Sequence, residues 1–243
     1  MGNDHGSYAT PPPMHDPACP PRLFRLLNPA LMGAACLALA ACAAQGPAAA
    51  VHELTLLAEP VATAAPLPGG DHVLRRVHFR DRHGEGLLVL ERRDETREDA
   101  DSGNVLEVAV LTAQLHARSD PRGAWSKQWQ RQIRQPCAGL DLEAGWFLEH
   151  VGVTDLDGDG QAEITLASHT FCGGGIDPHQ LHISLIDGGT GYGIEGETRV
   201  SLPGEDPFGG EHHGSANLAT APAVFVQHLE ALWSTLRAQP ITM

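Results

Sequence analysis

From residue 72 to residue 200 the chain is built of short runs in which apolar and polar positions alternate. "HVLRRVHF" (72–79), "GLLVLER" (86–92), "VLEVAVLTAQLHA" (105–117), "WSKQWQRQI" (125–133), "WFLEHVGV" (146–153), "AEITLASH" (162–169), "LHISLID" (181–187) and "YGIEGETRV" (192–200) all carry the period of two of a half-buried strand. The breaks "RDRHGEG", "REDADSGN", "DLDGDGQ" and "DGGTG" are rich in Gly, Asp and Asn, which accept turn backbone. Because the breaks are short, consecutive strands are expected to pair antiparallel in a meander. The expected fold class is therefore mainly β, propeller-blade-like or a sandwich. Trp125, Trp129 and Ile133, with Lys127 and Arg131 between them, share one face of a strand. The same spacing also fits one face of a helix, so that segment is open to either.

After a long loop, "EDPFGGEHHGSANLATAP" (205–222), the period changes. In "PAVFVQHLEALWSTLRAQ" the residues Phe225, Leu229, Leu232 and Leu236 fall on one helical face behind Pro222, predicting an amphipathic C-terminal helix over 222–237 that covers the sheet.

The N-terminal pattern is of a third kind. Arg22 and Arg25 precede an apolar run, 26–38, too short to span a bilayer. The run ends in Leu39-Ala40-Ala41-Cys42, which resembles the bacterial lipobox; an ordinary secretory signal cut at an A-x-A site is the alternative. The resemblance implies a signal peptide over 1–41, with Met14 a candidate start, and a lipid-modified Cys42. Each buried CH₂ of the attached chains would contribute about 0.8 kcal/mol to membrane anchoring. Ala43 stands where an Asp would mark inner-membrane retention, so the sorting rule implies the outer membrane, facing the periplasm or the cell surface. Residues 42–70, rich in Ala and Pro with one strand-like run at 53–57, read as a tether, and 71–243 as a single ectodomain.

Composition narrows the partners. The 30 acidic residues against 16 basic ones, of which only Lys127 is lysine, give a net charge of −14. Nucleic acid requires a basic surface and is excluded. Direct docking on anionic lipid is disfavoured unless divalent cations bridge the two.

"VTDLDGDGQAEITLAS" (153–168) concentrates the acidity. Counting Asp155 as position 1, Asp157 stands at 3, Asp159 at 5, the Gln161 carbonyl at 7 and Glu163 at 9, while Gly158 and Gly160 permit sharp turns. Alternate oxygens of a tight loop suit calcium, and carboxylates so crowded repel one another without a cation. Position 12 is Leu166 and the flanks are strands, so this is no EF-hand. It resembles the D-x-D-x-D-G-x-x-[DE] calcium loops of FG-GAP repeats, with Glu163 where Asp is commoner. A structural calcium is the expectation; a metal-free turn and a catalytic metal are the alternatives. "FRDRHGEGLLVLE" overlays the same segment with Asp81 on Asp155, Gly84 on Gly158 and Gly86 on Gly160, either as a decayed repeat or as a coincidence of turns.

Cys19 and Cys36 belong to the signal segment, leaving Cys137 and Cys172. With no CxxC spacing, in an oxidising compartment, they most simply form one disulfide; two buried thiols or a metal pair are the alternatives.

The order of landmarks from 124 to 237 (Trp125, Trp129, Cys137, the acidic loop, "CGGGIDP" over 172–178, "LHISLID", "YGIEGET" and a helix with "ALW") resembles a family of bacterial envelope proteins labelled "surface polysaccharide biosynthesis protein". Cys172, Gly174, Ile176 and Pro178 keep that family's pattern; Gly173, Gly175 and Asp177 replace its usual Arg, Asp and Ser. The resemblance implies a surface-glycan context and no particular chemistry.

The chain's 14 histidines include His179, His182, His212 and His213, which read as scattered surface residues in place of a zinc set. GxSxG, HExxH and P-loop motifs are absent from the sequence, and no carboxylate pair stands out among Asp141, Glu143, Glu149 and the other acids. The expected function is non-catalytic: an outer-membrane lipoprotein, stabilised by calcium, that binds surface polysaccharide or an envelope protein. The alternative is a calcium-stabilised envelope hydrolase acting on glycan or peptidoglycan.

Overall fold

The computed structural model describes residues 53–60 and 67–238. The strands run in chain order as β1 (Thr55–Leu57), β2 (Val73–Asp81), β3 (Gly84–Glu98), β4 (Val105–Arg118), β5 (Ser126–Cys137), β6 (Asp141–Trp146), β7 (Gly152–Thr154), β8 (Glu163–Gly173), β9 (Gln180–Asp187), β10 (Thr190–Glu197), β11 (Arg199–Val200), β12 (Phe208–Gly209) and β13 (His212–Gly214), before one helix, α1 (Ala223–Leu236). The first sheet has five strands in the order β1-β2-β3-β4-β5, and the second has β13-β10-β9-β8-β6 with β7 also on β8. All these pairings are antiparallel. The fold is mainly β, with one C-terminal helix, in the sandwich form of the expectation.

Alternation sorts the side chains into two cores. Between the sheets, Phe79, Leu88, Leu90 and Leu111 of the first meet Trp146, Val153, Ile164, Leu166 and Ile186 of the second. On the far side of the second sheet, Ala167, Leu181, Ile183, Leu185 and Ile194 meet the helix. The helix buries Phe225, Leu229, Trp233 and Leu236, each contributing about 1.5–3 kcal/mol. Trp233 takes the place expected of Leu232, which is only half-buried. The helical stripe needs a residue at i+4 from Leu229, and the indole fills a space that His212 closes with its ring centroid 4.7 Å away.

Four stretches differ from the sequence expectation. "WFLEHVGV" is the end of β6, a 3-10 turn over Leu148–His150, and β7. Strand alternation sends Trp146 into the core between the sheets and Phe147 into the helix-side core just before the turn, and Arg75 holds the turn by donating to the Leu148 carbonyl. "YGIEGETRV" divides at Thr198, whose N–H bonds to the His179 carbonyl at 2.9 Å. The 205–222 loop contains β12 and β13, short strands whose Gly and His residues give no alternation to read. The run at 53–57 contains β1, strand as its pattern suggests, but this part of the expected tether joins the first sheet as an edge strand on β2. Trp129 and Ile133 stand on strand β5, with a bulge at Gln128 where Leu115 faces Trp129 and His116 faces Lys127, whereas Trp125 lies just before the strand and does not share their face: it packs against His78 and Arg118 while they pack between the sheets.

Cys137, the last residue of β5, and Cys172, near the end of β8, are bonded with Cα atoms 5.4 Å apart. The bridge ties the first sheet's edge to an inner strand of the second sheet. It encloses a segment with a sequence separation of 35, so Cys137→Ser with Cys172→Ser is expected to lower the unfolding free energy by about 4 kcal/mol. Urea denaturation with and without reductant measures it.

On the outer face of the first sheet, Glu85 is 5% exposed. It accepts hydrogen bonds from Arg80 (2.6 Å) and Arg118 (2.6 Å) and faces His78 at 3.3 Å, while the Arg118 guanidinium lies 4.2 Å from the Trp125 ring centroid. Burial alone would raise the Glu85 carboxyl, but the bonds from Arg80, Arg118 and His78 outweigh it and hold the pKa at about 2. An unfolded glutamate titrates near 4.5, so the unfolded chain takes up this proton first as acid is added. The network's stabilisation, on the order of 3 kcal/mol, is complete above that value and is lost as pH falls toward 2. Denaturation at about pH 5.5 and about pH 2.5 is expected to show a steeper loss for the natural chain than for Glu85→Gln. Equal losses would remove the network from the acid response.

Candidate metal centre

The acidic loop joins β7 to β8, which pair through Thr154 and Glu163. Gly158 (φ 76°) and Gly160 (φ 82°) take left-handed backbone inside it, and without a Cβ they do so at no steric cost. Each acidic side chain uses one oxygen to accept a main-chain N–H: Asp157 from Asp159 (3.2 Å), Asp159 from Gln161 (2.7 Å), Asp155 from Gly160 (3.0 Å) and Glu163 from Leu156 (2.5 Å). These bonds curl the loop around its own carboxylates. Leu156 packs against the helix-side core and anchors the curl from below.

The result is a convergent set. Asp155, Asp157, Asp159 and Glu163 each offer one oxygen, and the four lie within 4.8 Å of one another. Oxygens bound to one ion at ~2.4 Å stand at most ~4.8 Å apart, so a single cation can touch all four. Glu163 is fully buried, at 0% exposure. Its Oε1 and the Asp155 Oδ1 are buried without a hydrogen-bond partner, although a buried polar atom left unpaired costs about 1–3 kcal/mol. Burial drives the Glu163 carboxyl up to about 7; the Leu156 bond opposes the rise, and the charges of Asp157, Asp155 and Asp187 add to it. Two orphaned oxygens beside two further carboxylates, one of them (Asp159) 3.0 Å from the Arg82 guanidinium, describe a site that a metal ion fits.

A second element holds the loop in place. The turn between β2 and β3 lies against it: the Arg82 N–H donates to the Gly160 carbonyl (2.9 Å), the Arg82 guanidinium to the Asp159 carbonyl (2.9 Å), and the Ala162 N–H to Asp81 Oδ2 (3.1 Å). The Gln161 side chain donates to Asp187 at 2.5 Å and faces His83 at 2.9 Å, leaving its main-chain carbonyl to offer an ion. Asp81 and Asp155, overlaid in the sequence, thus both accept main-chain N–H groups of the same loop, from Ala162 and Gly160. The two turns differ in build: two residues separate β2 from β3, and eight separate β7 from β8.

Of the residues singled out in the sequence, the structure brings Asp155, Asp157, Asp159 and Glu163 together and joins Cys137 to Cys172. Cys42 lies outside the described residues. The "CGGGIDP" segment forms a turn in which the Gly174 N–H approaches Asp177 at 3.4 Å. His179 stacks on Phe171 with ring centroids 4.3 Å apart, and His212 and His213 lie on the edge strand β13. Among the described residues, the acidic loop is the one group of three or more His, Cys, Asp or Glu side chains close enough to share an ion. Sequence reasoning missed Arg82, His83 and Asp187, which support the loop from far along the chain and carry no local signal.

A divalent cation is expected to raise the melting temperature, and Asp157→Ala to remove that rise. Glu163→Gln separates metal binding from simple turn chemistry. It relieves a buried charge, so at about pH 8 the chelator-treated variant should be more stable than the chelator-treated natural chain by roughly 1–3 kcal/mol while failing to respond to metal. Identical melts of the natural chain in metal and in chelator would exclude the site.

Compared with known proteins, the chain matches no family model, no curated protein and no solved structure.

Proposed function

We propose that this chain is a lipid-anchored envelope protein whose sandwich is a non-catalytic binding module, stabilised by calcium and directed at surface polysaccharide. The observation that carries the metal part is the pair of buried, unpartnered oxygens on Asp155 and Glu163, set among two further carboxylates. Calcium is the ion of choice because it accepts many oxygens in flexible geometry, whereas magnesium prefers fewer carboxylates and keeps its waters. With the Gln161 carbonyl the loop offers five protein oxygens, and water completes the shell.

The anchor rests on the Leu39–Cys42 motif and the glycan context on the landmarks between Trp125 and the C-terminal helix. A net charge of −14 suits this setting if calcium mediates contact with acidic polymers. The membrane is reached through the lipid on Cys42, at the outer membrane, and the module holds polysaccharide there without turning it over.

The test uses the chain from Ala49 onward, so that β1 is kept. Polysaccharide from the source cell surface is titrated in calcium and again in chelator. Saturable binding in calcium, at least tenfold weaker in chelator, is the expected result. Absence of binding in both would reject the glycan-binding role, and turnover of the polymer would make the protein a hydrolase.

A further inference from the structure

The face that the second sheet turns toward the first is apolar over only part of its area. Ile164, Leu166 and Ile186 pack there against the first sheet. The same face continues into Ser168 on β8, His182 on β9 and Glu195 on β10, which stand in one row: Ser168 is the partner of His182, and His182 of Glu195. Between this row and β5, the edge strand of the first sheet, lies a cleft of about 400 Å³, within the size range of small-molecule sites.

Three features mark it as built. Ser168 is fully buried, yet its hydroxyl has no hydrogen-bond partner. Arg131 lies on the same face of β5 as Trp129 and Ile133, which pack on the core between the sheets, so its side chain, though exposed, lines the cleft. Its guanidinium comes to 4.0 Å from where a Cβ on Gly191 would stand, and no carboxylate among the described residues pairs with it. Finally, Gly191 and Gly193 leave the floor at β10 without side chains. Trp146 flanks the cleft, its indole N–H already donated to the Glu91 carbonyl at 3.1 Å, so what it offers a ligand is ring surface.

The charges choose the ligand. A bare anion would suit Arg131 but meet Glu195, which sits 3.8 Å from His182 and 4.0 Å from His213, beyond good hydrogen-bond length and with acceptor capacity to spare. A neutral sugar seated on Arg131 would take water from its guanidinium and supply no counter-charge in return. A molecule with a carboxylate at one end and hydroxyls along its body satisfies both. We propose that this cleft binds an acidic sugar residue of a glycan chain, with Arg131 on the carboxylate, Glu195, His182 and Ser168 on the hydroxyls, and Trp146 against the ring. The proposal rests on the glycan-binding role above and supplies its site and sugar class. A charge on an edge strand also deters strand addition, but that role needs neither the polar row nor the glycine floor.

The test uses the full chain with calcium and short oligomers of galacturonate, glucuronate and sialic acid, against neutral galactose oligomers, read by calorimetry and by tryptophan fluorescence. At least one acidic oligomer is expected to bind saturably, and the neutral ones at least tenfold more weakly. Arg131→Ala should weaken acidic binding tenfold or more and Arg131→Lys less. Gly191→Leu, at a position with negative φ and open space, should abolish binding while the metal-induced rise in melting temperature persists. Equal binding of acidic and neutral oligomers, binding by Gly191→Leu as by the natural chain, or failure of every acidic oligomer would overturn the proposal. If surface polysaccharide still binds Gly191→Leu, the glycan-binding role stands and its site is elsewhere; if the natural chain binds no polysaccharide, that role fails as well.

Discussion

Strand β8 has to be apolar on both faces, and most of the architecture follows from that. Ile164 and Leu166 face the first sheet while Ala167 faces the helix, so one strand supplies both cores and sits at the middle of three layers. A strand of 11 residues is long enough to be paired along one side by two partners, β6 near one end and β7 at the other, and the 3-10 turn between them is what makes room for both. The helix at the C-terminus then has a defined apolar surface to cover, and its stripe of Phe225, Leu229, Trp233 and Leu236 matches it.

The ends of the same strand carry the two local staples. Glu163 begins it, inside the acidic loop, and Cys172 stands one residue before its end, in the disulfide. At ~3.3 Å per residue these are about 30 Å apart. Each staple joins the second sheet to the first: the loop through Arg82 and Asp81 of the β2–β3 turn, and the disulfide through the last residue of β5. Face-to-face sheets are free to shear where only apolar side chains interdigitate, because burial has no direction. Directional bonds at both ends of the central strand set the alignment that burial leaves free.

Much of this could be read from residue order alone. Strands with strict alternation, such as "VLEVAVLTAQLHA" and "LHISLID", were legible because alternation reports a half-buried surface wherever it occurs, and the helix was legible because its period changes after Pro222. The acidic loop was legible because all its ligands lie within nine residues and a hard cation imposes a spacing. What was hidden depends on contacts between distant segments. Arg82 and Asp187 support the loop but look like ordinary surface charges in their own runs. Trp146 and Phe147 are adjacent and apolar, and only the three layers explain why both of the faces they point to are buried. Arg131 reads as a solvated residue between apolar neighbours, and that it lines a cleft depends on Gly191 and Gly193 of the opposite sheet, far along the chain.

The two sheets are also consecutive in the chain: the first ends at Cys137 and the second begins at Asp141. Any process that delivers the polypeptide N-terminus first therefore completes one sheet before the other exists. During that interval Leu88, Leu90 and Leu111 have no opposing layer, and the long β3–β4 hairpin presents an apolar face with an unfinished neighbour. Exposure of that kind is where aggregation competes with folding. On the other face of that hairpin Arg93, Glu95 and Arg134 of β5 stand beside the buried Val108 and Val110, so that face has a charged cover supplied from within the first sheet while the inner face waits for its partner.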